Sequence, residues 1–584
     1  MNIFKQIFAE AKNMLRSKFI LISIVLAFFA ITIGTPLLGL VIDKLQENSN
    51  SYYYGNYGNE DLIVNGVTID PDNDFYWDIL NLVEQQEYME QWFSNEGAYE
   101  YALELSDLML DFYVEYAPLL TPRDEDYNSD YRMNFMYTMR QNVTDIYVLN
   151  VMDPSPAALQ EAVDQISWGS TDVTSLLEME NEDAQEYIAT AQQNLDEFDT
   201  LMKTNDFSVY VDMQMRIYNK SIEDNLARIE TLEADIIANP DQEEYSSEEI
   251  ERLLVYNKTI TETDIPELEY RLEQNIIPND GSWEDQAIST ISSSKSSIEY
   301  ATLYKMTEEE YNDDQWTQER YGSYKNYLET IENNRKQAEK DLFVAQSSLD
   351  SGKPDMQFVP NGARQQLYNT FSLSMLVVVF GALLGGWCIA NEFQSGTVRL
   401  LMIRPRTRMV VLFTRYAAGL VLVYALYLSS FLVNFVVKGV VNGFADYMLP
   451  NYTANATVLF GLAWLGDLFA VSMGFVFIYS FSFAMSTIIK NMAVSIILPT
   501  LALLGSTIAM AYLSSQPPVT LLAYTPMPYL IMSDFFGNSW NALNQMIEKG
   551  VPLSLPLGAA MLALYSVLLM AIAAVVFQKK DITN

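Results

Sequence analysis

Two long apolar runs, Phe371 to Ala390 and Met409 to Val437, enclose a short interval that carries four arginines. Each run reaches the roughly 20 residues that a helix needs to cross a bilayer core. The interval from Asn391 to Arg408, NEFQSGTVRLLMIRPRTR, must then be a loop at one membrane face. Arg399, Arg404, Arg406 and Arg408 assign that face to the cytoplasm, because basic residues in short loops are retained on the inner side.

The other spans follow by the same rule. In residues 1–18, Phe4, Ile7, Phe8, Ala11 and Leu15 recur at helical spacing opposite Lys5, Lys12 and Arg16, the pattern of an interfacial cytosolic helix or of a basic flank to a span. Residues 19–42 are the first span: about 24 apolar residues reach roughly 36 Å as a helix, and Thr35-Pro36-Leu37-Leu38 is no cleavage site. The second span occupies 367–390, the third 409–437, the fourth 457–489, the fifth 493–513 and the sixth 553–577, before a cytosolic tail at 578–584. Lys490, Lys579 and Lys580 keep the later inner ends basic. Between the last two spans, residues 514–552 hold Pro517, Pro518, Pro526, Pro528 and Pro552 among apolar neighbours, which suits outer re-entrant or interfacial helices and excludes another span. The expected fold is an all-α polytopic membrane protein with six transmembrane helices and both termini in the cytoplasm.

Residues 43–366 then form an insert between the first two spans, and here composition decides something. The chain carries 34 Lys and Arg against 75 Asp and Glu, a net charge of −41, and 68 of the acidic residues lie in this insert with 20 of the basic ones. So acidic a block repels nucleic acid and belongs in water, as an extracellular domain. The chain has no histidine, which removes the commonest general base and metal ligand together with the hydrolase, deaminase and zinc-protease chemistries built on them. Its one cysteine, Cys388, lies inside a span, so no intrachain disulfide exists. No catalytic, metal or cofactor residue is assigned.

The insert reads as mostly helical. Met215, Ile222, Ile229 and Ile236 recur every seven residues, with Tyr218 and Leu232 between them and Asn225 interrupting that row. Asn239-Pro240-Asp241 ends this helix and Ser246-Ser247-Glu248-Glu249 opens the next, predicting a coiled-coil-like hairpin over about 208–276. A long helix is expected over about 317–350 and short strands near Leu62 to Thr68 around Asn65-Gly66. Tyr52, Tyr53 and Tyr54 suit either a plain flexible flank or a ligand or cell-wall sugar contact.

The cationic loop also carries a resemblance. Glu392, Ser395-Gly396-Thr397, Leu400-Leu401, Pro405 and Arg408, leading into Arg415 and Gly419, are similar to the loop after the second span of ABC type-2 permeases, and Phe577, Lys579, Lys580, Asp581 and Ile582 resemble that family's ending. The resemblance implies that Glu392, Ser395, Gly396, Thr397, Arg399, Arg404, Arg406 and Arg408 form a coupling element against a separate ATP-binding subunit. It also implies two copies of that ATPase, which would hold ATP and magnesium, and a second permease copy or paralogue in a bacterial cell membrane. The chain has no G-x-x-x-x-G-K-[ST] loop of its own; Ser351-Gly352-Lys353-Pro354 lacks the leading glycine and the following hydroxyl. On this reading it is the permease of an exporter for a lipid, lipopeptide, antimicrobial peptide or drug. The large insert is similar to the lipid-handling ABC arrangement. A surface receptor similar to the phage-infection-protein family, without an ATPase, is the alternative.

Read from the residues alone, Ser395, Gly396 and Thr397 let the chain leave the membrane and start a short helix with Ser395 or Thr397 as cap, while Glu392 can hold an arginine. Gly381, Gly385 and Gly386 offer a face for close helix packing or a translocation path. Asp467, inside the fourth span, must face protein, a wet vestibule or the interface.

Overall fold

The structure, a computed structural model, describes residues 3–33, 61–93, 96–121, 130–152, 154–167, 171–238, 243–303, 305–397, 407–453, 456–537 and 541–579. The chain divides into two compact units, Met1–Gln46 with Ser293–Asn584, and Glu47–Ser292. The division falls well before residue 366, because the last part of the insert packs with the spans. Helices α1 (Ile3–Leu15) and α2 (Lys18–Ile33) meet at a bend of 88°. Arg16 and Ser17 close α1 with short-range backbone bonds, and the Ser17 carbonyl opens α2 by accepting from Leu21 N–H. Ile7, Ala11 and Met14 pack into the bundle, whereas Phe4 and Phe8 remain exposed. The expected first span continues over 34–42, outside the described residues, as do Tyr52, Tyr53 and Tyr54.

The Glu47–Ser292 unit begins with the antiparallel strands β1 (Leu62–Val64) and β2 (Val67–Ile69). Asn65 and Gly66 both take positive φ, 51° and 82°, as the two-residue turn of a twisted hairpin requires. Helices α3 (Tyr76–Tyr88), α4 (Glu96–Tyr116), α5 (Met133–Asn150), α6 (Pro156–Ile166), α7 (Val173–Leu177) and α8 (Asn181–Thr204) enclose a core rich in aromatic rings, including Phe75, Tyr113, Phe135 and Phe198. Buried Arg132 stitches this core by donating to the Leu119 carbonyl at 2.7 Å, the Met202 carbonyl at 3.1 Å and the Asp130 carboxylate at 2.7 Å.

The predicted hairpin is present as α9 (Phe207–Ala238) against α10 (Glu243–Thr259) and α11 (Ile265–Gln274). Met215, Tyr218, Ile222, Asn225, Ile229, Leu232 and Ile236 are all at least partly buried, and nearly every residue between them is exposed. The polar interruption is matched across the seam, where Asn225 Nδ2 donates to Asn257 Oδ1 at 2.7 Å. A single Asn at such a position fixes register because only one alignment satisfies it. Between α10 and α11, Ile260–Asp264 widens into a π-helical turn. Pro266 lies just beyond it and cannot donate a backbone bond, so the wider turn absorbs the break.

Helix α12 (Trp283–Leu303) is followed by α13 (Glu308–Asp313), α14 (Gln315–Tyr321) and α15 (Tyr324–Ser351). The single helix expected over 317–350 is thus split at Gly322, which adopts φ 73°. Helix α16 (Ala363–Asn369) leads through one 3-10 turn into α17 (Ser374–Gln394), and α18 (Arg408–Asn442) follows the cationic loop. Strands β3 (Pro450–Thr453) and β4 (Ala456–Leu459) pair before α19 (Phe460–Ile489). The fourth span therefore starts at Phe460 instead of Thr457, whose backbone pairs with Tyr452. After α20 (Met492–Ser514), the described residues of the proline-rich connection form three 3-10 turns and one short helix, α21 (Ala542–Glu548), before α22 (Leu555–Lys579). Among the described residues, five helices are long and apolar enough to cross a membrane, and the bent pair α1–α2 makes up to six. The protein is an all-α polytopic membrane protein.

One buried charge organises the end of this bundle away from the chain termini. Arg364, with no solvent exposure, reaches Asp446 Oδ1 at 2.9 Å and donates to the carbonyls of Pro450 at 2.6 Å and Pro354 at 2.8 Å. Its own N–H donates to Asp446 Oδ2 at 2.7 Å. One side chain thereby joins the foot of α15, the start of the second span and the loop between the third and fourth.

Arg364→Met leaves the Asp446 carboxylate buried without its cation, at an expected cost of about 3–5 kcal/mol. A melting temperature in detergent equal to that of the wild type would contradict this. In the hairpin, Asn257→Ala strands the Asn225 amide and should cost about 1–3 kcal/mol, read as faster backbone hydrogen exchange in α9 and α10 of the full chain.

Candidate functional site

Helix α17 carries Glu392 on its last turn and then stops. The Ser395 and Gly396 N–H groups close it on the carbonyls of Asn391 at 2.9 Å and Phe393 at 3.3 Å, and Gly396 takes φ 71°. That left-handed conformation is what commonly terminates a helix, and glycine adopts it without steric cost. Ser395 Oγ donates to the Asn391 carbonyl at 2.7 Å and lies 2.8 Å from Thr397 Oγ1, which in turn donates to the Glu392 carboxylate. Glu392, Ser395, Gly396 and Thr397 thus form one hydrogen-bonded turn. The hydroxyls finish the helix before the loop; the short helix expected to follow them falls on residues 398–406, outside the described residues. Arg399, Arg404 and Arg406 lie outside the described residues.

The chain re-enters the bundle at α18, where the Thr407 hydroxyl accepts from Val410 N–H. Two turns in stands Arg415, only 8% exposed. Its Nη2 lies 2.8 Å from Glu392 Oε1, its Nε lies 3.5 Å from Glu10 Oε2, and its Nη1 donates to the Cys388 carbonyl at 3.4 Å. A guanidinium this far inside a span is tolerated only with partners. The requirement is mutual: Glu392 sits at a helix C-terminus, where the macrodipole disfavours an anion, and the arginine offsets that. One cation therefore fastens α1, α17 and α18 together.

Other basic residues gather at the same end of the bundle. Arg408 Nη1 donates to the Gln578 carbonyl at 3.2 Å, near the end of α22. The Lys490 ammonium, in the turn between α19 and α20, stands 4.9 Å from the Phe393 ring centroid. The described residues at this end are the 391–397 turn, the N-terminal helix, the start of α18 and the α19–α20 turn.

Within the bundle the glycines sit where α17 meets its neighbours. A Cβ on Gly385 would lie 2.5 Å from the Tyr479 carbonyl of α19, and one on Gly386 would lie 2.5 Å from Ile496 of α20; Gly381 faces the Phe475 carbonyl at a looser 3.4 Å. Hydroxyl pairs hold α18 to α19: Tyr416 with Ser480 at 2.7 Å, Tyr424 with Ser472 at 2.9 Å, and Tyr427 to the Leu468 carbonyl at 2.9 Å. Asp467, half-buried, accepts a 2.6 Å hydrogen bond from Tyr368. It is separated from the Glu392 turn by the length of the spans.

The sequence by itself gives Arg415 no role and does not single out Glu10. Both left a signal. Arg415 is a charge inside an apolar run, and Glu10 is the only carboxylate in the first 42 residues, set among lysines and phenylalanines. Nothing local pairs them, because the contact is made only when α1 lies across α18.

Residues 206–582 match the family described as ABC-2 family transporter protein. The match opens at the hairpin helix α9, so it takes in part of the insert as well as the spans. A curated relative, the uncharacterized protein YhcI of Bacillus subtilis (strain 168), is 23% identical over 225 residues, 36% of this chain and 67% of that protein. No solved structure matches the chain. With long apolar helices on both sides of the cationic interval, and a family match over well more than half its length, the chain belongs to the ABC-2 transporter family, as a membrane permease subunit.

Proposed function

We propose that this permease couples ATP hydrolysis by a separate ABC ATPase, docked on the 391–408 loop at the cytosolic face, to export or extraction of an amphipathic substrate. The observation that carries this reading is the position of Arg415 between Glu392 and Glu10. A loop joined to its helices by backbone alone would absorb a push as local bending. Here the first turn of the loop is held to the third span and to the surface helix, so displacement of the turn moves three elements together. Arg399, Arg404, Arg406 and Arg408 supply positive charge for the ATPase surface. ATP and magnesium are held by that partner.

On this reading two ATPases act on two permeases, the second being another copy or a paralogue, and the path opens between them within the lipid bilayer. Gly381, Gly385 and Gly386 allow α17 to stay close to α19 and α20 while the helices shift, and Asp467 with Tyr368 supplies a polar contact near the exit. The acidic insert stands outside the cell and receives a lipid, lipopeptide, antimicrobial peptide or drug.

The test is co-purification of an ATPase with the full chain, followed by ATPase assays in proteoliposomes. Glu392→Gln keeps the shape of the side chain and removes its charge. It should lower permease-dependent ATPase activity roughly tenfold or more, within the range of coupling free energies of about 1–3 kcal/mol, with the ATPase still bound. Gly396→Pro should do the same by removing the positive φ. Full activity in both variants, or reproducible purification without any ATPase, would overturn the reading.

A further inference from the structure

At the end of the bundle opposite Arg415, α14 presents a surface that the transport reading leaves unused. Trp316 is 64% exposed, and the Arg320 guanidinium carbon lies 5.2 Å from the Trp316 ring centroid and 5.4 Å from that of Tyr321. Among the described residues no carboxylate forms an ion pair with Arg320. The nearest ones in sequence are engaged: Glu319 accepts from Gln315 at 2.9 Å, and Asp314 caps the helix through the N–H groups of Trp316 and Thr317. A guanidinium stacked on rings uses its flat faces and keeps its in-plane N–H donors available.

The location of this cluster decides what it meets. Gly322, which ends α14, abuts Pro517, three residues past the end of α20 at Ser514. Gly550 closes on Asn326, Glu329 and Thr330 at the start of α15. Lys549 donates to the carbonyls of Ser514 at 2.5 Å and Gln516 at 3.2 Å, fixing where α20 stops. A helix of 23 residues rises roughly 34 Å, about the thickness of the hydrocarbon core. Ser514 therefore marks the hydrocarbon boundary, and α14 rests at headgroup level beside it. Tyr512, Leu521 and Tyr524 on the same rim are also exposed. Gly322 sets α14 against the chain that leaves α20, and exposed Trp and Tyr at that depth are the side chains a headgroup region favours.

We propose that α14 is an interfacial anchor for zwitterionic phospholipid. Trp316 and Tyr321 seat in the headgroup layer, and Arg320 donates to a lipid phosphate. The charge pattern selects the lipid class. Glu308, Glu309 and Asp313 on the adjoining α13 are exposed; they repel a purely anionic surface but suit the ammonium that accompanies the phosphate of a zwitterionic headgroup. The insert is therefore rooted in the membrane surface at its C-terminal base.

The test uses the full chain in nanodiscs of phosphatidylethanolamine and phosphatidylcholine, with the latter brominated on its acyl chains. Trp316→Phe preserves an aromatic ring, and the difference in emission between wild type and variant isolates Trp316 from the other tryptophans. The expected result is loss of most of that difference signal to brominated lipid, with little quenching by iodide from water. Arg320→Gln should restore part of the signal, and replacing half of the lipid with phosphatidylglycerol should not deepen the quenching. Quenching by iodide alone would place α14 in water, and protection from both quenchers would mean that protein covers it; either outcome overturns the proposal. The readout needs no ATPase, so it stands or falls apart from the coupling reading.

Discussion

The hydrocarbon core offers a charged group nothing to bond with, and this protein meets that constraint by giving its bundle few ionised groups and partnering them closely. Seven carboxylates lie outside the 43–366 insert. Glu10 and Glu392 converge on Arg415, Asp446 is held by Arg364, and Asp467 accepts from Tyr368. Each contact ties together elements that the chain connects only through long detours. Removing one member of such a pair is costly, because the other charge is left in the bundle without its partner. They are the places where helices with otherwise interchangeable leucine and valine faces acquire a fixed register.

The two arginines divide the labour by position. Arg415 lies where the loop between the second and third spans meets the N-terminal helix, and Arg364 lies where the foot of α15 meets the strand-paired loop before α19. Between them, α17 approaches α19 and α20 at glycines, and α18 meets α19 through tyrosine and serine hydroxyls. In lipid, such small residues and hydroxyls supply the close contact that hydrophobic burial supplies in water. The bundle is thus fastened at both ends and closely packed between.

The insert up to Ser292 is built on different lines. Its core is aromatic, its hairpin seam follows a seven-residue repeat, and the polar interruption at Asn225 is answered by Asn257. Its base changes character: from Ser293 onward the chain packs with the spans, and α14 sets exposed Trp316 and Arg320 beside the acidic α13.

Much of this was legible in the amino-acid sequence. Five of the spans could be placed to within a few residues, because a membrane demands an uninterrupted apolar run and each run is long enough to speak for itself. The hairpin and the Asn65-Gly66 turn were equally local, the one carried by periodicity and the other by a two-residue signal. What the sequence could not decide depended on residues brought together from a distance. The start of the fourth span shifted to Phe460 because Thr457 pairs with a strand formed by the preceding loop. Ser395 and Thr397 bond back to Asn391 and Glu392 at the end of α17, partners that only the folded turn reveals. The base of the insert joined the spans, since no composition boundary marks a packing boundary. Above all, Glu10 and Arg415 looked like unrelated charges: periodicity assigns a residue to a face, but only the folded chain selects which face of α1 crosses α18 and so which carboxylate meets the buried guanidinium.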